Sequence, residues 1–156
     1  MPRKTTSLAV AVAAFAAAAP AAHASDATLR QAIRQQDAKT KPDERAFTKA
    51  VASFAKTHRA STLRSATQRL TADVKAARSA IAAQEASTAK VRKGRVLYLT
   101  ALTKLGRGLK SFDTALADLQ KGHNTKAKAA LARAAKQISS AEGTGNRAEK
   151  LIGVKG

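Results

Sequence analysis

The chain has 156 residues, no cysteine and a formal net charge of +19, from 29 lysines and arginines against ten carboxylates. These values exclude disulfides and thiol nucleophiles, and they give the chain a field that attracts polyanions and repels other cations. The length suits one domain with a modest core, which must be stabilised by packing alone.

Residues 1–24 have the pattern of an export signal. Two basic residues precede an alanine-rich apolar run, and the tripeptide AHA at 22–24 supplies an A-x-A cleavage site. The run is weaker and shorter than a membrane anchor of about 20 strongly apolar residues. We therefore predict cleavage between Ala24 and Ser25, and a mature chain that is secreted or held in the periplasm or cell envelope, without a transmembrane segment. It keeps 27 basic and all ten acidic residues, a net charge of +17.

The first elements of the mature chain are predicted to be two helices separated at a proline. Asp26 is placed to cap the first helix, which we expect to end near Thr40 because Pro42 disfavours helical geometry in the residue before it. Pro42 itself suits the first position of the second helix. The apolar face of that second helix is predicted from helical spacing: Phe47, Val51, Phe54 and His58.

From residue 63 to residue 119 one heptad phase continues through alternating steps of four and three, here called the leucine seam. It is weak and polar in places before residue 98 and strong after it. Its apolar members are Leu63, Leu70, Val74, Ala77, Ile81, Val91, Tyr98, Leu102, Leu105, Leu109, Phe112, Leu116 and Leu119. The unbroken phase favours one long central helix, and a helical hairpin turning near Gly94 is the alternative.

A column of small residues runs beside the seam at intervals of seven. Its members are Ala80, Ser87, Gly94, Ala101, Gly108, Ala115 and Gly122. Each glycine costs a helix interior about 1 kcal/mol relative to alanine, so an offsetting contact is needed. We expect a neighbouring helix backbone to approach closely over Gly108, whereas Gly122 is predicted to form a turn before Asn124.

A last helix is predicted from Asn124 to about Ala141, followed by a flexible basic tail over 143–156 that contains two close glycines. The sequence thus predicts an all-α, elongated helical bundle with one domain over residues 25–142.

Motifs typical of enzymes are missing from the sequence. His58 and His123, the histidines of the mature chain, lack metal-ligand spacing, and no G-x-S-x-G motif occurs. A G-x-G-x-x-A match at 143–148 has no preceding strand, so it does not indicate a nucleotide site. We therefore predict a protein that is not an enzyme, with no catalytic residue, cofactor or metal.

Seven basic residues form a candidate polyanion-binding surface. They are Lys90, Arg92, Lys93, Arg95, Lys104, Arg107 and Lys110. No aromatic side chain is interleaved with them, because Tyr98 and Phe112 belong to the leucine seam. Base stacking and specific recognition of nucleic acid are therefore not expected. A solvated face without a ligand is the alternative interpretation of this surface.

These patterns predict a non-catalytic protein that binds anionic cell-envelope or extracellular polymers by charge. One alternative is a structural protein that forms homo-oligomers, or binds a partner helix, through the leucine seam. The other is a nucleoid-associated DNA-binding protein, if residues 1–24 are not an export signal.

Overall fold

A computed structural model describes residues 18–57 and 60–154, and every regular element in these ranges is an α-helix. The helices are α1 (Ala18–Thr57), α2 (Ala60–Ala82), α3 (Ala89–Gln120) and α4 (Asn124–Ile152). Each helix packs against the next along the chain, most extensively α3 against α4. The predicted all-α helical bundle is therefore confirmed. None of these helices combines the length and the apolar character needed to cross a membrane.

The predicted break at Pro42 is wrong, because α1 continues through this residue. A proline inside a helix removes one hydrogen bond and costs about 3 kcal/mol. Tertiary packing holds both halves of α1: Leu29 and Ile33 are fully buried before the proline, and Ala50 is buried after it. Burial on both sides of the proline thus outweighs the local preference for a break.

The apolar face of α1 after the proline differs by one position from the prediction. Ala50 is buried against α2, with Phe47 and Phe54 packed around it, whereas Val51 is 38% exposed. Both series fit helical spacing, so only the position of α2 decides between them. The fourth predicted member, His58, lies outside the described residues.

The single long central helix is also wrong, because the chain turns between α2 and α3 at residues 83–88. The alternative, a helical hairpin, is correct, but its turn does not lie near Gly94, because Gly94 is inside α3. Thr88 is the N-cap of α3, and its side chain accepts the Val91 N–H. The leucine seam nevertheless forms the core on both sides of the turn, because α2 and α3 direct it into the same interior.

The prediction that Asp26 caps the first helix is wrong, because this residue lies within α1. Its side chain instead fixes the start of α3. Its Oδ1 accepts the Ser87 N–H at 2.8 Å, and its Oδ2 accepts the Thr88 hydroxyl at 2.7 Å. Burial alone would raise the pKa of Asp26, but these hydrogen bonds outweigh burial and hold the pKa below its usual value. An ionised carboxylate therefore joins two helix segments that are far apart in sequence.

The last helix extends well beyond its predicted end at Ala141. It continues to Ile152, and Gly153 closes it in the left-handed conformation, at a φ of 77°. Buried residues keep helical spacing to the end: Ala141, Thr144, Ala148 and Ile152. The flexible tail predicted from residue 143 is therefore wrong for residues 143–152. Two glycines favour a loop by propensity, but the burial of this continuous face favours the helix and decides the structure.

Helices α3 and α4 approach closely over the column of small residues. A Cβ atom added to Gly94 would lie 2.6 Å from Ile152 Cγ1 and 3.1 Å from the Ala148 carbonyl oxygen. A Cβ atom added to Gly108 would lie 2.7 Å from Ile138 Cγ1. Atoms of α4 therefore occupy the positions that side chains would need, and the predicted close approach over Gly108 is confirmed.

The end of α3 agrees with the sequence-based expectation for a turn. Gly122 has a φ of 73°, which a residue with a side chain rarely adopts, and α4 begins at Asn124. The N-cap is one residue earlier than expected, because His123 occupies it without a side-chain hydrogen bond.

Candidate functional site

All seven residues of the predicted polyanion surface lie on α3, but the structure divides them into two groups. Five are exposed to solvent: Lys90, Arg92, Lys93, Arg107 and Lys110. The other two, Arg95 and Lys104, are partly buried and make hydrogen bonds to neighbouring helices. None of the seven belongs to the three ion pairs found within residues 18–57 and 60–154.

Arg95 binds the carboxyl end of α2. Its Nη2 donates to the Ala82 carbonyl oxygen at 2.6 Å, and its Nε donates to the Ile81 carbonyl oxygen at 3.3 Å. The last carbonyl groups of a helix have no partner within the helix and carry partial negative charge. Arg95 therefore has a structural contact that accounts for its position.

Lys104 connects α3 to α4. Its Nζ donates to Ser140 Oγ and to Thr144 Oγ1, both at 3.0 Å. These contacts are made with neutral hydroxyl groups, so the positive charge of Lys104 is not cancelled by a carboxylate. It can still attract an anion at the surface beside it.

A basic groove of about 370 Å³ lies where α2 meets the outer side of α3. It is lined by three cationic side chains, Arg78, Lys104 and Arg107, together with Val96, Leu99, Thr100 and Thr103. No carboxylate is among the described residues that line it. Arg78 Nε donates to Thr103 Oγ1 at 3.0 Å, which fixes its side chain over the groove. Here two predicted site residues come together with one that the sequence analysis did not identify.

Arg78 could not be identified from the sequence because its proximity to α3 depends on the turn at 83–88. On one continuous helix, residues 78 and 107 would be about 43 Å apart, at 1.5 Å per residue. The hairpin places α2 beside α3 instead. The turn in this case creates the groove.

A second, larger cavity of about 610 Å³ is lined by residues of all four helices. It opens between α1 and α4, which are not among the closely contacting pairs of helices. Its floor is formed by seam residues of α2 and α3: Leu70, Val74, Leu102, Leu105 and Leu109. Its lining also holds four carboxylates, Asp37 and Glu44 from α1 and Glu142 and Glu149 from α4. We call it the acidic cavity. None of these carboxylates was a predicted site residue, because they come from two helices and form no motif in the sequence.

Tyr98 forms part of the acidic cavity wall and donates a hydrogen bond from its hydroxyl to Asp37 Oδ1 at 2.9 Å. Loss of solvent contact raises the pKa of Asp37, although this hydrogen bond opposes the rise. Loss of solvent contact and the nearby charge of Asp37 both raise the pKa of Glu149. Burial and the same charge raise the pKa of Tyr98. The cavity is therefore a place where negative charge is poorly compensated.

Within residues 18–57 and 60–154, no three His, Cys, Asp or Glu side chains converge in a way that could hold a metal ion. His123, at the start of α4, lies 3.6 Å from Asp118 at the end of α3, with Nδ1 facing Oδ1.

No protein-family model, curated protein or solved structure gives a significant match to this chain. Its function is therefore argued from the geometry and the charge of these two concave surfaces.

Proposed function

We propose that the mature protein is a non-catalytic protein of the cell envelope or extracellular space that binds anionic polymers by charge. The observation that carries this proposal is the basic groove, which Arg78, Lys104 and Arg107 line without a carboxylate among the described lining residues. The exposed cations Lys93 and Lys110 lie on the same helix, beyond the groove residues on either side. A polymer that carries sulfate, phosphate or carboxylate groups would extend along this row.

The chemistry of the groove favours recognition of charge over recognition of a particular sequence or stereochemistry in the polymer. Two of its cations are arginines, whose planar guanidinium groups bind phosphate or sulfate through paired hydrogen bonds. The aromatic residues Phe47 and Phe112 are partly buried against each other, with ring centroids 5.5 Å apart, and neither lines the basic groove. Recognition by charge and shape follows, without base reading.

The alternative of binding a partner helix through the leucine seam loses support from the structure. Leu63, Leu109 and Leu116 are each 1% exposed, because other helices of the same chain cover this part of the seam. A partner helix could reach these residues only if the bundle opened.

Removing two arginines from the groove tests the proposal directly. We expect Arg78→Gln combined with Arg107→Gln to weaken binding to heparin and to poly(glycerol phosphate), because two cations next to the polymer are lost. The dependence of affinity on salt should also become less steep, since fewer counterions are released. Affinity would be measured by titration calorimetry at several salt concentrations.

The matched control is Arg34→Gln combined with Arg45→Gln, which removes the same charge from exposed positions on α1. Binding should fall more in the groove variant than in this control. Equal losses in both variants would show that total charge binds the polymer and that the groove has no special role. Unchanged binding in both would contradict the proposal altogether.

The proposed location has its own test. Mass spectrometry of the protein from the culture medium or periplasm should find Ser25 as the first residue. Recovery of the intact chain, beginning at Met1, from the cytoplasm alone would contradict the export prediction and would favour the DNA-binding alternative.

A further inference from the structure

The acidic cavity exists because α1 and α4 separate along part of their length. The two helices meet near one end, where Arg30 Nε donates to the Ile152 carbonyl oxygen at 2.7 Å and Leu29 packs in the same cluster as Ile152. Elsewhere they make few close backbone approaches, and the floor between them is formed by α2 and α3. The opening therefore leads from the surface to the apolar interior of the bundle.

The charge of the cavity is opposite to the charge of the molecule. Its lining holds four of the ten carboxylates of the chain, and no Lys or Arg is among the described residues that line it. If the 29 basic residues were distributed evenly over the chain, several of them would be expected among the residues that line this cavity. The local field at the opening therefore attracts cations, although the outer surface repels them at long range.

The size and the floor of the cavity suit an organic ligand. Its volume of about 610 Å³ falls within the usual range of small-molecule sites, roughly 300–1,000 Å³. Leucine and valine side chains form the floor, while Asp37, Glu44, Glu142 and Glu149 supply the charge. A bare metal ion would leave the apolar floor uncovered, and the described carboxylates do not converge on a metal position. A ligand with both an apolar part and a positive charge fits both features.

We propose that the acidic cavity binds a small organic ammonium ion, whose apolar body covers the leucine floor and whose charge lies among the four carboxylates. Two contributions favour binding: apolar surface leaves water, and the neighbouring carboxylates Asp37 and Glu149 gain a counter-charge. This site is separate from the basic groove, so either one can function without the other.

The chain carries its own reporter for this site. Tyr98 lines the cavity, it is the only tyrosine of the chain, and the chain has no tryptophan. Its fluorescence therefore reports on the cavity alone. We would titrate the full-length mature protein with three probes of equal apolar length, hexyltrimethylammonium, 1-hexanol and hexanoate, and confirm the binding by calorimetry. The expected order of affinity is the cation first, the alcohol weaker, and the anion weakest.

Charge-removing variants then locate the site. Glu142→Gln and Glu149→Gln should each weaken the binding of hexyltrimethylammonium by roughly two- to fivefold, the usual range for one partly exposed charge pair. The binding of 1-hexanol should not change, because the apolar floor is intact. The matched control is Glu85→Gln, which removes the same charge in the turn between α2 and α3 and should have no effect.

Three outcomes would overturn the proposal. One is equal affinity for the cation and the alcohol, which would mean that the carboxylates contribute nothing. Another is an equal loss of affinity in Glu149→Gln and Glu85→Gln, which would mean that total charge decides. The third is the absence of binding of all three probes to protein whose circular dichroism shows intact helices.

Discussion

Helix α4 packs tightly against α3 but is separated from α1 along much of its length. Against α3 it comes so close that a Cβ atom on Gly94 would meet the backbone and side chains of α4. Against α1 it stands apart, and the acidic cavity opens between them. Because all four helices have similar amphipathic patterns, residue size and charge at facing positions set the distance between helices in this bundle.

On the α3 side, small residues face small residues over several turns. Gly94, Ala101, Gly108 and Ala115 of α3 are buried, as are Ala127, Ala130, Ala134, Ala141 and Ala148 of α4. Backbones can then touch, and many dispersion contacts replace the missing side chains. On the α1 side, carboxylates face carboxylates, and their need for water or a counter-charge keeps the helices apart.

The largest expected effect is produced by adding bulk at the closest contact. Gly94→Leu should destabilise the fold by about 3 kcal/mol or more, because its Cβ alone would lie 3.0 Å from Leu151 Cβ and 2.6 Å from Ile152 Cγ1. Urea unfolding followed by circular dichroism would measure the loss. A variant as stable as the parent would show that α3 and α4 do not touch at this position.

Adding bulk at Gly108, the second close contact, should also destabilise the fold, but by a smaller free energy. Helix propensity alone predicts that Gly108→Leu stabilises by up to about 1 kcal/mol. The neighbouring Ile138 and Ala134 predict instead a loss of about 1–3 kcal/mol, because α4 would have to shift. A raised melting temperature would contradict the close contact.

The third prediction concerns the residue that joins α1 to the start of α3. Asp26→Asn should cost about 1–2 kcal/mol at neutral pH, because the cap of α3 loses its charge. The pKa of Asp26 is lower in the folded state than its ordinary value of 3.8. Its contribution is therefore present above pH 3.8 and is lost as pH falls through the lowered pKa.

Urea unfolding at pH 7 and at steps below pH 4 would test this dependence on Asp26. The stability of the parent should fall towards that of Asp26→Asn on acidification. A constant difference between the two proteins across this range would show that the carboxylate charge is not what stabilises the cap.

The smallest expected effect has the opposite sign and serves as a control for the glycines. Gly143 lies in α4, and a Cβ atom added there would meet nothing within 4 Å. Gly143→Ala should therefore stabilise by about 0.5–1 kcal/mol, since alanine favours the helix and nothing has to move. Thermal unfolding compared with the parent measures it, and a loss of stability would mean that this helical turn is covered.

The sequence predicted the core of this fold better than its turns. Heptad spacing identified Leu63, Ile81, Leu109 and Leu116 as core residues, and all are at most 1% exposed. Periodicity works here because helical geometry is local: residues three and four apart share a face wherever the helix lies. The column of small residues was informative for the same reason.

The errors have one physical origin, which is contact between segments far apart in sequence. The turn before α3 depends on Asp26, which lies about 60 positions earlier and supplies the acceptors for Ser87 and Thr88. Helix α1 continues through Pro42 because residues on both sides of the proline, such as Ile33 and Ala50, are buried against other segments. The lining of both concave surfaces also comes from separate helices, so neither Arg78 nor the carboxylates of the acidic cavity form a motif that local spacing can reveal.

Asp26 has one more consequence, which concerns the accuracy of processing. With the proposed cleavage after Ala24, this residue becomes the second of the mature chain, next to a newly formed terminal ammonium group. A cut only two positions later would remove it, and the start of α3 would lose its carboxylate cap. The position at which the signal peptidase cuts would then determine the stability of a helix that begins more than sixty residues downstream.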